Sequence, residues 1–229
     1  ANPLTERKAK VKIEVFIFHN NKPEHDIEPI AKIFYAGIDS TLNSKIESIY
    51  TVNTIDTNPN NLNIDQDYLN FDYAFKKADK NNYVIICKDD IISNHSPSIL
   101  LKHLDSLINN QFKSNIYAFD IAYLCHWMSE CNKLFNTRIQ DGMVIENTQS
   151  SNGLSCLMIS PKGRDKYNTI FQIPVYKGSK SLGILIRNTC ATENDIININ
   201  PNKLKSILTD IELISPDHTK FTSDSDYLK

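Results

Sequence analysis

Residues Tyr83 to Cys87, YVIIC, form an unbroken apolar run that stops at Lys88, Asp89 and Asp90. A half-buried strand alternates apolar and polar side chains. A run with no alternation is buried on both faces, as a central strand is in a parallel sheet covered by helices. Parallel neighbours need crossover connections, so the rest of the chain should supply alternating strands and helices.

It does so in most places. Lys10 to His19, KVKIEVFIFH, begins with alternating charge and turns fully apolar, the pattern of a strand entering a core. A helix after Pro23 and Glu24 is expected from the apolar face of Ile27, Ile30, Ile33 and Phe34, with Pro29 weakening its first turn. Lys45 to Val52 reads as a second strand, followed by an Asn- and Asp-rich loop from Asn53 to Asp67 and a helix from Tyr68 to Asp79. Ser96-Pro97 and Ser160-Pro161 each place a capping hydroxyl before a proline at the first helical position, which predicts helices through Leu107 and Ile170. Strands are expected at Asn115 to Leu124, Met143 to Glu146 and Leu154 to Ile159, with an irregular stretch after Cys131 to about Gly142. Asn200-Pro201 predicts a helix through Leu208, and Ile211 to Ile214 a last strand. The expected fold class is α/β, one domain over residues 1–229.

With 229 residues and 41% hydrophobic content, the chain can bury one sizeable core without disulfides. A formal net charge of -2 argues against general nucleic-acid binding, because no excess of positive charge is available to neutralise phosphates. No apolar run is long enough to span a membrane and the first ten residues lack a signal-peptide pattern, so the chain reads as a soluble protein with a trimmed start. Its five cysteines are odd in number and three lie in apolar runs, which suits a reducing, intracellular compartment.

Ligands of open α/β sheets bind outside the carboxyl ends of the strands, so Asp89 and Asp90 occupy the position where chemistry is expected. Two carboxylates there could hold a divalent cation that neutralises a diphosphate, with Lys88 as a further positive charge or as a partner of one aspartate. They could equally cap the turn. Asp56, Asn58, Asn60 and Asp67 fall at calcium-loop spacing, but Asn61 stands where the loop needs glycine, so a solvated loop is the stronger reading. Cys125 and Cys131 around His126 lack the second ligand pair of a zinc site. Trp127, with Tyr123, His126, Glu130 and the preceding Asp120, could form an aromatic platform beside a carboxylate that holds a sugar or a base; a lone tryptophan is more commonly core. Lys162, Arg164 and Lys166 in SPKGRDK could bind an anion at a helix start, or simply be solvated. No Walker loop, dinucleotide glycine fingerprint or Ser-His-Asp order is present.

Several stretches in order, YVIICKDD with IISNHSP, then FDIAYLCHWMSEC, NTQSSNGLSCLMISPKGRDK and SPDHTKFTSDSDYLK, resemble a group of proteins encoded by large DNA viruses. These are similar to glycosyltransferase family 25, and the resemblance covers Tyr83 to Arg164 and the extreme C-terminus. It implies a GT-A-like, Rossmann-like fold with a mixed, mainly parallel sheet flanked by helices. Residues 1–124 would be the nucleotide-sugar half and 125–229 the acceptor half. The implied activity moves a sugar from a nucleoside diphosphate to a hydroxyl acceptor, a glycan or a protein, in host cytoplasm or a virion. Asp89 and Asp90 would hold Mn or Mg, and Glu130 or Asp120 would serve as catalytic base. Lys88, Asp89, Trp127, Gln149 and Arg164 would bind the donor, and Asp226 would belong to a closing C-terminal motif. Family 25 carries glutamate where this chain has Lys88. A non-catalytic viral binding or structural protein with the same fold is the alternative, and a nucleotide-processing hydrolase a third class.

Overall fold

In a computed structural model, residues 11–20, 27–60, 64–113, 118–127, 133–150, 152–171, 181–209, 213–217 and 219 are described. Strand β1, Ile13–His19, lies between β2, Ile46–Asn53, and β3, Tyr83–Lys88, and is parallel to both. β1 sends Val15 and Ile17 into one core and Phe16 and Phe18 into another, because successive side chains point to opposite faces and both faces are covered. The short helices α1, Glu28–Lys32, and α2, Thr54–Thr57, sit in the connections around β2. Helix α3, Gln66–Lys77, then buries Tyr68, Phe71, Ala74 and Phe75 on the Phe16 face. The expected polar loop before it is thus interrupted by one helical turn, capped by Asn53.

After β3 the chain makes the acidic turn, a two-residue strand β4, Ile91–Ile92, and helix α4, Pro97–Asn110. The Ser96 hydroxyl caps α4, whose Leu100, Leu104 and Leu107 seal the Val15 face. Strands β5, Ile121–Trp127, β6, Leu134–Gln140, β7, Met143–Thr148, and β8, Asn152–Ile159, follow. Helix α5, Pro161–Ile170, starts on the predicted Ser160-Pro161 device, and α6, Leu182–Asn188, packs Leu182 and Ile186 into the Phe16 core. Helix α7, Glu193–Ile197, precedes β9, Ser206–Thr209, and β10, Ser215–Pro216, pairs with β4.

The large sheet has the order β2-β1-β3-β8-β5-β9-β7-β6. β8 runs antiparallel between β3 and β5, β9 is parallel to β5, and β6 and β7 form an antiparallel hairpin at the edge. The chain is therefore a mixed α/β protein with a Rossmann-like, helix-flanked sheet. Residue 124 falls inside β5; β2, β1 and β3 precede it in sequence, β8, β9, β7 and β6 follow it, and the two groups join edge to edge at β3 and β8 in one sheet.

Two expectations fail for physical reasons. Leu204, Ile207 and Leu208 have helical spacing, but residues 206–209 are a strand buried on both faces between β5 and β7, where no alternation survives to mark it. The Asn200 side chain accepts the Asn202 N–H at 3.0 Å and makes a turn rather than a helix start. The stretch before Gly142 is not irregular; it is β6, whose alternation is broken by a bulge around Asn136, at φ 53°. Its signal was Asp141-Gly142, both with positive φ, the chemistry of a two-residue hairpin turn.

Candidate functional site

The strand order reverses at β1: the chain goes from β1 to β2 on one side and then to β3 on the other. The crevice outside the carboxyl ends of β1 and β3 is therefore a topological switch point. Lys88 is the register partner of Phe18, and His19 is level with Asn53, so His19, Asn53 and the acidic turn stand at one end of the sheet.

Lys88, on the α3 face, reaches Asp67 in the first turn of that helix, with Nζ 3.2 Å from Oδ1. Burial works against the Lys88 ammonium, but Asp67, Asp90 and Asp65 together hold its pKa above the ordinary lysine value. Burial raises the Asp67 carboxyl, and the Lys88 charge pulls it back. Asp65 caps α3 by accepting the Asp67 N–H at 3.2 Å, and its second oxygen accepts the Leu182 N–H at 2.7 Å. One carboxylate thus ties α3 to α6 beside the candidate site. Asp67, counted in the calcium-like spacing, is the partner of Lys88; Asp56 and Asn58 lie in and just after α2.

Asp89 is buried and Asp90 half-buried. The Asp90 carbonyl accepts the Asp217 N–H at 2.8 Å, Pro216 pairs with Ile91, and Ser93 Oγ donates to the Leu213 carbonyl at 3.2 Å. The segment after β9 therefore returns to brace the acidic turn. Among the described residues no group of three or more His, Cys, Asp or Glu is placed to hold a metal ion. Asp89 and Asp90 offer two carboxylates at the turn, with the Lys88 charge felt by Asp90.

The other candidates are placed differently. Asp120 precedes β5, at the end of the sheet away from Asp89, where its Oδ2 accepts Lys166 Nζ at 2.5 Å and the Lys205 N–H at 2.8 Å. With its carboxylate 2% exposed and so engaged, it is a structural ion pair at that end and not a base beside the acidic turn. Arg164 is likewise remote from Asp89. Its guanidinium donates to the carbonyls of Asp79 at 2.6 Å, Phe75 at 2.8 Å, and Asn82 and Ala78 at 3.2 Å, tying the end of α3 to the start of β3. Burial pushes its pKa down, and Glu14, Asp165 and Asp79 oppose that shift. Glu14, buried on β1, assists by accepting the Asp79 N–H at 2.7 Å and the Asn82 amide at 3.1 Å.

Gln149 follows β7, and its backbone N–H donates to the Lys133 carbonyl at 2.9 Å; no hydrogen bond or ion pair among the described residues joins it to the acidic turn. Trp127 closes β5 with Asn152 as register partner, and its side chain lies outside the described residues, as do Glu130, Cys131 and Asp226. Among the described residues, Cys87, Cys125, Cys156 and Cys190 are buried and form no disulfide.

The SPKGRDK run is thus a packing device. Ser160 Oγ accepts the Gly163 N–H at 3.0 Å, and Lys166 holds Asp120. A Cβ on Gly163 would stand 2.8 Å from the carbonyl carbon and 2.9 Å from the Cα of Asp120. Alanine in place of helical glycine usually stabilises by about 1 kcal/mol. Here Gly163→Ala should destabilise by roughly 1–3 kcal/mol through backbone overpacking, measured by urea unfolding; a gain in stability would refute the close approach.

Among the described residues no helix is long and apolar enough to cross a membrane. No family model matches the chain, and no curated protein does. Among solved structures, the crystal structure of A197 from STIV superposes with a TM-score of 0.38 at 9% sequence identity, over 89% of this chain and 83% of that one, a likeness too weak to carry any inference about the site.

Proposed function

We propose that the chain is a glycosyltransferase that binds a nucleoside diphosphate sugar at the crevice outside β1 and β3 and transfers the sugar to a hydroxyl acceptor. The observation that carries this reading is the Lys88–Asp90 turn at the switch point, at the carboxyl end of a central strand. The resemblance of YVIICKDD to the viral, family 25-like proteins supports the same assignment.

In such a transfer the acceptor oxygen bonds to the anomeric carbon, the bond from that carbon to the diphosphate oxygen breaks, and the acceptor proton passes to a base. Glu130 is the proposed base, carried over from the resemblance. The leaving diphosphate is the charge to be stabilised, and preorganised positive charge in a partly buried site is the effective way to do it. Lys88 is the cation at the turn, already ion-paired with Asp67, and would have to be shared with the diphosphate. Asp89 and Asp90 are the residues that would hold a divalent cation, which when bound would neutralise the diphosphate further.

Calorimetric titration with UDP and UDP-sugars, with and without manganese, tests the proposal. Nucleotide binding is expected, strengthened by manganese and weakened about tenfold or more by Asp89→Ala. Absence of binding to every nucleotide, with Asp89→Ala indistinguishable from the parent chain, would exclude the transferase.

A further inference from the structure

A cavity of about 570 Å³ opens at the end of the sheet away from the acidic turn, under the start of β3. Much of its wall is apolar, with Tyr83 and Phe119 buried there and Phe112 and Pro161 beside them, and Asn81, Gln111 and Ser160 add uncharged polar groups. Its polar side is different in kind, because Lys162 and Lys205 both line it. Asp120, the acid at the same wall, is occupied by Lys166, and neither Lys162 nor Lys205 makes an ion pair among the described residues. Three lysines therefore gather around one carboxylate. Burial and then the Lys162 charge push the Lys205 amine below the ordinary lysine pKa, with Asp120 opposing, so the positive charge at this wall is under-compensated.

A cavity of this size with mostly apolar walls and a few convergent polar groups has the character of a small-molecule site. The excess positive charge determines which end of a ligand it would hold. We propose that this cavity binds a small amphiphilic anion, an apolar ring or chain ending in a carboxylate, sulfonate or phosphate, with Lys162 and Lys205 on the charged end. Within SPKGRDK, Gly163, Arg164 and Lys166 lock the fold, while Lys162 is exposed and left to face the ligand. The site is independent of the transferase reading, since Tyr83 and Lys88 are opposite ends of β3.

The probe is anilinonaphthalene sulfonate, an apolar ring system with one anionic group, titrated by fluorescence against the full chain. Phenylnaphthylamine, its uncharged counterpart, is the control. Lys162→Gln, which changes an exposed side chain, should weaken the sulfonate several-fold and Lys162→Gln/Lys205→Gln roughly tenfold or more, with the neutral dye changing less than about twofold. Ala118→Trp, on the cavity wall, should abolish both. Displacement of the sulfonate by decanoate identifies a carboxylate ligand class, and by decyl phosphate a phosphate class. Unchanged sulfonate affinity in the folded Lys162→Gln variant, retention of dye by folded Ala118→Trp, or displacement by neither amphiphile would each overturn the assignment.

Discussion

Arg164→Met should lower the stability of the chain by about 3–5 kcal/mol, a fall in midpoint temperature on the order of 10 °C. The substitution keeps most of the aliphatic stem and removes the guanidinium, so the loss is of hydrogen bonds and charge rather than of volume. Four carbonyls, on Phe75, Ala78, Asp79 and Asn82, lose the guanidinium in a setting where Arg164 is only 5% exposed, and of these Asp79 keeps the Asn82 N–H at 3.1 Å. Glu14, buried against the same turn, loses the nearby positive charge. Acceptors stripped of a buried donor cost the full desolvation of each group, which is why the expected effect exceeds that of an ordinary hydrogen-bond deletion. Arg164→Lys should restore only part of the loss, since one ammonium has three donors and no planar fork to span four carbonyls. Chemical denaturation of the three proteins measures this directly. Parental stability in Arg164→Met, accompanied by loss of nucleotide binding, would instead return Arg164 to the donor site.

That contrast shows what the sequence could disclose. YVIIC announced a strand buried on both faces, and Ser96-Pro97 and Ser160-Pro161 announced two helix starts, because strand burial and capping are written in a few consecutive residues. Strand β9, SILT, is buried along its whole length but has only two apolar residues among its four, too few to separate a buried strand from a helical face. The role of Arg164 depends on residues 75–82, brought to it by the stacking of α3 and α5 on the sheet, and no local pattern encodes such a meeting. The partner of Lys88 was equally hidden. Asp67 is remote in sequence, and only the approach of the first turn of α3 to the end of β3 joins the two. The strand end bearing Asp89 and Asp90 was legible; the charge arrangement around it was not.

The same separation of sheet ends governs Asp120. Asp120→Ala should cost about 3–5 kcal/mol, because it leaves the Lys166 ammonium, 13% exposed, with only the Lys203 carbonyl at 3.0 Å, and strips the Lys205 N–H of its acceptor. Lys166→Met removes the other member and leaves the carboxylate with that N–H alone, so it should also destabilise, by a somewhat smaller amount. The double variant carries neither charge. Its loss should fall well short of the sum of the two single losses, giving an interaction energy of roughly 1–3 kcal/mol. A base acting on an acceptor predicts a different pattern, in which Asp120→Ala removes turnover while stability stays at the parental value and Lys166→Met adds nothing to it. Denaturant unfolding of the four proteins of the cycle separates the two, and the engaged Oδ2 of Asp120 favours the first. Asp120 would then hold α5 and the start of β9 to β5, leaving transfer chemistry to the opposite ends of β1 and β3.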